Sequence, residues 1–297
     1  MRAHTTHIFL TGATGYIGGS VLTRLLSHKL SDTFGITVLV RDPAKAKEFR
    51  TLGVKATVGS NSDTKLLRQL AAEADIVFAC ADADDLEAAN AILAGLKDRF
   101  EKTRTVPSLI HTSGTGVLVD DARGYVKTHI VLPGTIYGLS SGPLVDLGLQ
   151  NPRSQQIPGL IDLGVRRGEV GYVGLGKNIW PHVHIKDVSD VFILIFDHIL
   201  SPKEADPAHG RTGFYFAENG EYVLWDIAKA VASALHGARK IASDVPSSFS
   251  DEEIRRYFPK GTSYGTNSRC RADRARALGW RPRKGYQDLV ASIKDEI

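Results

Sequence analysis

The stretch Ile8-Phe9-Leu10-Thr11-Gly12-Ala13-Thr14-Gly15-Tyr16-Ile17-Gly18-Gly19 decides how the rest of the chain is read. Its first three residues form an apolar run of the kind that makes a buried strand. After the glycines comes Val21-Leu22-Thr23-Arg24-Leu25-Leu26, with apolar residues at helical spacing. A strand, a glycine-rich turn and a helix N-terminus make an anion site, because backbone N–H groups and the positive end of the helix dipole converge there. Gly12 and Gly15 let the backbone approach a pyrophosphate, and Gly18 lets helix and strand pack closely. The spacing predicts a dinucleotide cradle.

Downstream, short apolar runs alternate with helical stretches. Ile36-Thr37-Val38-Leu39-Val40 reads as a second strand, Val54 to Gly59 as a third, Asp75 to Ala81 as a fourth and Leu109 to Gly114 as a fifth. Thr128 to Leu132 reads as a sixth. This rhythm predicts an α/β fold, a doubly wound parallel sheet with helices on both faces and a smaller C-terminal lobe. Ligands of such sheets sit outside the carboxyl ends of the strands, which places Gly12, Arg41, Ala79, Cys80, Ala81, Thr112 and Ser113 along one edge. At the end of the second strand an acidic residue would bind a ribose 2′-hydroxyl, whereas arginine accommodates a 2′-phosphate. Arg41 stands there, Lys45 lies one helical turn on, and Asp42 intervenes. This favours NADP(H) over NAD(H); the alternative is a solvated charged turn.

The chain has 297 residues, a formal net charge of +4 and only two cysteines, Cys80 and Cys270. The small, scattered charge argues against a nucleic-acid surface, with the basic segment 269–284 as its one candidate. Two cysteines argue against a disulfide framework and suit a reducing compartment, and no apolar span is long enough to cross a membrane. The expectation is a cytoplasmic protein acting on a small molecule. His182 and His184 could share a strand face as metal ligands, but no cysteine or carboxylate cluster accompanies them, so no metal is expected. Arg166 and Arg167 read either as a clamp for a phosphorylated substrate or as a solvated helix end.

Thr11-Gly12-Ala13-Thr14-Gly15-Tyr16-Ile17-Gly18 resembles the fingerprint of the extended and atypical short-chain dehydrogenases/reductases, which include nucleotide-sugar epimerases, dihydroflavonol-type reductases and NmrA-like proteins. Pro133-Gly134-Thr135-Ile136-Tyr137-Gly138 resembles the family's Arg-Pro-Gly-x-x-Tyr-Gly, with Leu132 where arginine often stands. Val183-His184-Ile185-Lys186-Asp187-Val188 is similar to Val-His-Val-x-Asp-Val, and the segment ending at Trp280 to Lys-Ala-x-x-x-Leu-Gly-Trp. The resemblance covers nearly the whole chain in order. It implies that Gly12 to Gly18 hold the cofactor, with Ser60 and Asn61 near its adenine and Ala79 to Ala81 near its pyrophosphate and ribose. It further implies that Pro133 to Ile136 pass beside the nicotinamide. Residues 1–139 then form the dinucleotide-binding domain. Within 140–297, a substrate lobe occupies about 140–178 and 201–269, and segments 179–200 and 270–297 return to the first domain.

In this family a Ser or Thr orients a carbonyl, a Tyr exchanges its proton, and a Lys one helical turn later lowers the tyrosine pKa. An unperturbed tyrosine, with a pKa of about 10, needs such a cation to work near neutrality. Ser113 matches the hydroxyl position, with Thr115 beside it. Tyr-x-x-x-Lys is not found nearby. Tyr125 is followed two residues later by Lys127, and at about 3.3 Å per residue Tyr125 lies about 26 Å from the cofactor edge. Residues 114–126 barely suffice for a parallel crossover and leave no room for a full helix. The chain reads as if a segment near Asp121-Ala122-Arg123-Gly124 had been removed; a truncation, a splice form or a longer parent chain would all read the same. The proton donor is then a tyrosine in that segment or Tyr137. Two functions stay open: hydride transfer between a nicotinamide and a carbonyl or alcohol, or a non-catalytic NADP(H)-binding redox sensor of NmrA-like type. Loss of a covering helix would expose apolar sheet surface, for which a homo-oligomer is one solution.

Overall fold

In β1 (Thr6–Thr11), Ile8 and Leu10 face one layer of helices and Phe9 the other, so consecutive apolar residues are all buried. The same logic governs β2 (Phe34–Val40), β4 (Ile76–Ala79), β5 (Ser108–Thr112) and β6 (Lys127–Pro133), whereas the edge strand β3 (Lys55–Val58) buries only Ala56. The computed structural model describes residues 5–113, 125–201, 206–259 and 261–297. The shortened crossover read at residues 114–124, and Thr115 within it, lies outside the described residues.

Helices α1 (Tyr16–Leu26), α2 (Pro43–Thr51), α3 (Thr64–Ala72) and α4 (Leu86–Thr103) connect the first five strands. The chain continues through β7 (Thr135–Tyr137), α5 (Pro143–Asp146), α6 (Gln156–Arg167), β8 (Gly171–Tyr172), β9 (Ile179–His184) and α7 (Ile185–Leu200). It ends with β10 (Phe214–Ala217), β11 (Glu221–Val223), α8 (Leu224–Gly237), β12 (Ser247–Ser248), α9 (Asp251–Tyr257), α10 (Asp273–Ala277) and α11 (Tyr286–Ser292).

The main sheet has seven strands in the order β10-β6-β5-β4-β1-β2-β3, every neighbour parallel. The chain winds outward from β1 in one direction and from β4 in the other, so the crossing direction switches between β1 and β4. α1, α2 and α7 cover one face and α3 and α4 the other. Each fully buried aliphatic or phenyl side chain in these layers contributes about 1.5–3 kcal/mol. One expectation needs correction: Phe214 to Ala217 does not belong to the lobe. It pairs with β6 as the edge of the main sheet, Phe214 opposite Ile130 and Ala217 opposite Pro133.

The lobe has its own core, in which Ile157, Leu160 and Ile161 of α6 meet Ile227, Val231 and Leu235 of α8 around Tyr137 and Tyr222. A second sheet, β11-β9-β7, joins it to the first domain. Arg167, at the end of α6, is not a phosphate clamp. Its Nε and Nη2 donate to Glu253 at 2.6 and 3.1 Å, its Nη1 donates to Ser247 Oγ at 2.9 Å, and the guanidinium lies over the Phe249 ring. Hydrogen bonds from Arg167, with the Ser250 backbone N–H adding to them, hold the Glu253 carboxyl down at about 2. A carboxyl whose folded pKa lies below its unfolded one adds stability above the unfolded value and loses it as pH falls. Arg167→Ala should therefore destabilise by about 2 kcal/mol near neutrality, and the deficit should shrink between about pH 5 and pH 2. Melting curves of both proteins across that range test this; a deficit that stays constant with pH would count against the pair.

Candidate functional site

The glycine turn is shaped by backbone contacts that a side chain would obstruct. Gly12 has φ +77°, and a Cβ there would lie 2.5 Å from the Cys80 carbonyl oxygen. A Cβ on Gly18 would lie 2.2 Å from the Gly12 oxygen, so α1 and the end of β1 touch backbone to backbone. Gly15 is the N-cap of α1, with no side-chain cap and no acidic residue in the first turn. The leading N–H groups of α1 are thus uncapped by side chains and meet no competing carboxylate, which fits a phosphate.

Two adjoining hollows open at the carboxyl ends of the strands. The first, about 390 Å³, is lined by Gly12, Thr14, Gly15, Arg41, Ser60, Asn61, Cys80 and Ala81 together with Asp82 and Asp85. The second, about 400 Å³, is lined by Gly15, Tyr16, Ile17, Cys80, Ala81, Thr112, Gly134 and Ile136, and by polar residues of the 151–156 loop. Gly15, Cys80 and Ala81 border both, as a molecule bridging the two at its pyrophosphate requires. A larger hollow of about 770 Å³ lies at the opposite ends of the strands; its Asp75 is taken up by Arg99 and the His7 N–H.

The acidic residues around the first hollow are occupied by backbone donors. Asp42 caps α2 by accepting from Ala44 N at 2.8 Å, Asp63 caps α3, and Asp85 caps α4. Asp82 accepts from Asp84 N. Arg41 is the one cation lining this hollow among the described residues. Burial pushes the Cys80 thiol up to about 12, so it remains a protonated wall residue.

Several expected site residues lie outside both hollows. Gly18 serves packing, Ala79 is paired with Thr11 within the sheet, and Lys45 is half-buried on α2. Pro133 pairs with Ala217, and the buried Thr135 hydroxyl is 2.8 Å from that of Tyr222. Ser113 is buried, its N–H donating to Val131 O, whereas its neighbour Thr112 lines the second hollow. Thr112 Oγ1 is buried beside the Cys80 thiol, with which it interacts. Tyr137 is not brought to the cleft either. It is 1 % exposed, donates to Gly285 O at 2.8 Å, and burial raises its pKa well above the ordinary phenol value, with Asp288 and Asp187 adding to it. Tyr16 does line the second hollow, but its hydroxyl donates to Gly138 O and burial again holds the phenol protonated. The sequence reading missed Asn151, Arg153, Ser154, Gln155 and Gln156. A polar run entering a helix was the available signal.

The model of the NAD(P)H-binding family matches residues 12–128. The oxidase ucsJ of an Acremonium species is 30% identical over 334 aligned residues, covering 94% of this chain and 93% of the relative. The chain belongs to the same family as this oxidase and carries the NAD(P)H-binding segment over residues 12–128. In fold it is similar to the UDP-glucose 4-epimerase of Thermus thermophilus in complex with NAD, with a TM-score of 0.62 at 16% identity and 98% of each chain covered. It is also similar to the dTDP-glucose 4,6-dehydratase of Bacillus anthracis in complex with NAD, with a TM-score of 0.61 at 14% identity, covering 98% of this chain and 96% of that one.

The later motifs that carried the resemblance are structural here. His182 and His184 both lie against the Tyr137 ring, at 5.7 and 5.2 Å between centroids. Burial lowers the pKa of each histidine, and they join no group of three or more metal-ligating side chains among the described residues. The basic C-terminal segment is largely engaged within the chain: Arg269 with Glu221, Arg276 with Glu218 and Lys284 with Asp288. No helix among the described residues is long and apolar enough to cross a membrane.

Proposed function

We propose that this protein binds NADP(H) in preference to NAD(H) and transfers hydride between the nicotinamide and a carbonyl or alcohol substrate held in the second hollow. One observation carries the cofactor choice: Arg41 lines the first hollow while the neighbouring Asp42 carboxylate is turned to the N-terminus of α2. An arginine beside a 2′-phosphate makes charge-assisted, bidentate contacts, and a carboxylate engaged in capping does not compete for the ribose hydroxyls. Ser60, Asn61 and Ser62 supply neutral polar groups on the same wall. When bound, the nicotinamide supplies or accepts the hydride. The residues of the chain do the rest: the uncapped turn of α1 holds the pyrophosphate, and Thr112, rather than Ser113, orients the substrate oxygen through the hydroxyl it brings to the second hollow.

A second reading, the non-catalytic NADP(H)-dependent redox sensor, is favoured by one feature. None of the nine tyrosines is followed four residues later by a lysine. The ucsJ alignment is also longer than this chain, as expected if the relative carries residues that this one lacks.

Calorimetric titration with NADPH and NADH, on wild type and Arg41→Ala, tests the cofactor proposal. NADPH should bind more tightly than NADH, and Arg41→Ala should weaken NADPH binding by about 1.5–3 kcal/mol with little change for NADH. Equal affinity for the two cofactors overturns the preference, and binding of neither overturns both readings. Consumption of NADPH with aldehydes and ketones then separates the enzyme from the sensor.

A further inference from the structure

Among the described residues, Arg153 is the one charged side chain lining the second hollow. We propose that it selects a carbonyl substrate bearing a carboxylate, which makes the substrate class an aldehyde or ketone acid. This rests on the reading of the two hollows as a dinucleotide cleft.

The loop that carries Arg153 is fixed to the glycine turn. Asn151 N donates to Thr14 O at 2.9 Å, and the Asn151 side chain clamps the Arg153 backbone, accepting from its N–H and donating to its carbonyl, each at 3.1 Å. The arginine therefore starts from a position set by the cradle itself. Its side chain is half-exposed, yet it has a buried counter-charge: Glu296 Oε2 is 3.9 Å from Nε, and the Glu296 side chain is 1% exposed. Neither Glu296 oxygen has a hydrogen-bond partner among the described residues. Burial raises the Glu296 pKa and the Arg153 cation facing it lowers it, so the contact that orients Arg153 is one of charge.

At 3.9 Å the contact is not a hydrogen bond, and the guanidinium donates to no described residue. Its planar fork of N–H donors is left for a ligand, and a carboxylate is the planar partner that takes two of them at once. The rest of the lining, among the described residues, is neutral. Ser154 Oγ is buried and has no hydrogen-bond partner among the described residues, the Thr112 hydroxyl lies beside the Cys80 thiol on the same lining, and Gln155 and Gln156 offer amides. One cationic fork with neutral hydroxyls and amides beside it fits a substrate with an anionic end and a carbonyl end.

The test is a calorimetric titration of the NADP+-saturated protein, in which the cofactor has no hydride to give the aldehyde, with 4-carboxybenzaldehyde and with its methyl ester. The two probes share the aldehyde and the ring and differ in the charge. The acid should bind about tenfold more tightly than the ester, with a preference that weakens as salt is raised. Arg153→Gln should bring the two affinities together, and Arg153→Lys should keep part of the difference as a point charge without the fork. Equal affinities in the wild type, a preference that survives Arg153→Gln, or binding of neither probe overturns the proposal. NADPH titration of each protein reports separately on the cradle. If NADPH binds and the probes fail, only the substrate class falls; if NADPH itself does not bind, the cofactor reading falls with it.

Discussion

Gly18→Ala should abolish measurable NADPH binding and lower stability by about 3 kcal/mol, although it adds a single methyl group. The added Cβ would lie 2.2 Å from the Gly12 oxygen and 2.7 Å from its carbonyl carbon, and both are backbone atoms. A flexible side chain could swing aside; a carbonyl in a turn cannot do so without moving the turn. Gly12 is itself pinned from the far side by Cys80, because φ +77° brings it against the carbonyl that ends β4. Relief of the clash must therefore open α1 away from β1, which removes the N–H groups on which the pyrophosphate rests. Gly237→Ala is the matched control, since its Cβ meets nothing within 4 Å at the end of α8. That variant should bind as wild type and be at least as stable, alanine being the better helix former. Calorimetry and thermal melts of both variants decide the point. A Gly18→Ala protein that binds NADPH as tightly as wild type would sink the account of the cradle.

The parts of the fold legible in the sequence are those where one local pattern has one structural solution. Strands β1, β2 and β4 to β6 are apolar runs because both faces of a parallel sheet are buried, and the glycine turn fixes where winding begins. β10 escaped because Phe214-Tyr215-Phe216-Ala217 is short and follows a loop. Only its pairing with β6, more than eighty residues earlier, makes it a strand. The site divides in the same way. Arg41 follows from its place at a strand end, as does the cradle from its glycines. Ser113 and Thr112 are adjacent, and their opposite orientations depend on strand register and on where β5 stops. Tyr137 sits in a family motif, but its burial against His182, His184 and Gly285 O is a tertiary fact without local signature. The Arg153 and Glu296 pair joins residues over 140 apart and could not be read from spacing.

The second large effect is expected at Asp187, a buried carboxylate outside the cleft. Asp187→Ala should cost about 3 kcal/mol, a fall of about 5 °C or more in melting temperature, while leaving NADPH affinity below the transition nearly unchanged. Asp187 is 2% exposed and lies in the first turn of α7, where the helix dipole favours a negative charge. Its Oδ1 accepts from Arg283 N and its Oδ2 from Lys284 N, each at 3.1 Å, and its carbonyl accepts from the Trp280 indole at 2.9 Å. No salt bridge to Asp187 occurs among the described residues, so the carboxylate is held by backbone donors and the dipole. Alanine would leave two N–H groups unpaired, and these belong to the strand of chain leading to Gly285, whose carbonyl receives the Tyr137 hydroxyl. The damage should thus run into the lobe core around Tyr137. The cradle, built from β1, β4 and α1, is anchored elsewhere and should still bind. Asp187→Asn keeps one acceptor oxygen and should fall between the two. Unchanged melting of Asp187→Ala would show that the returning C-terminal segment is held by something other than this carboxylate. Joint loss of stability and cofactor affinity would mean that cradle and lobe fold as one cooperative unit.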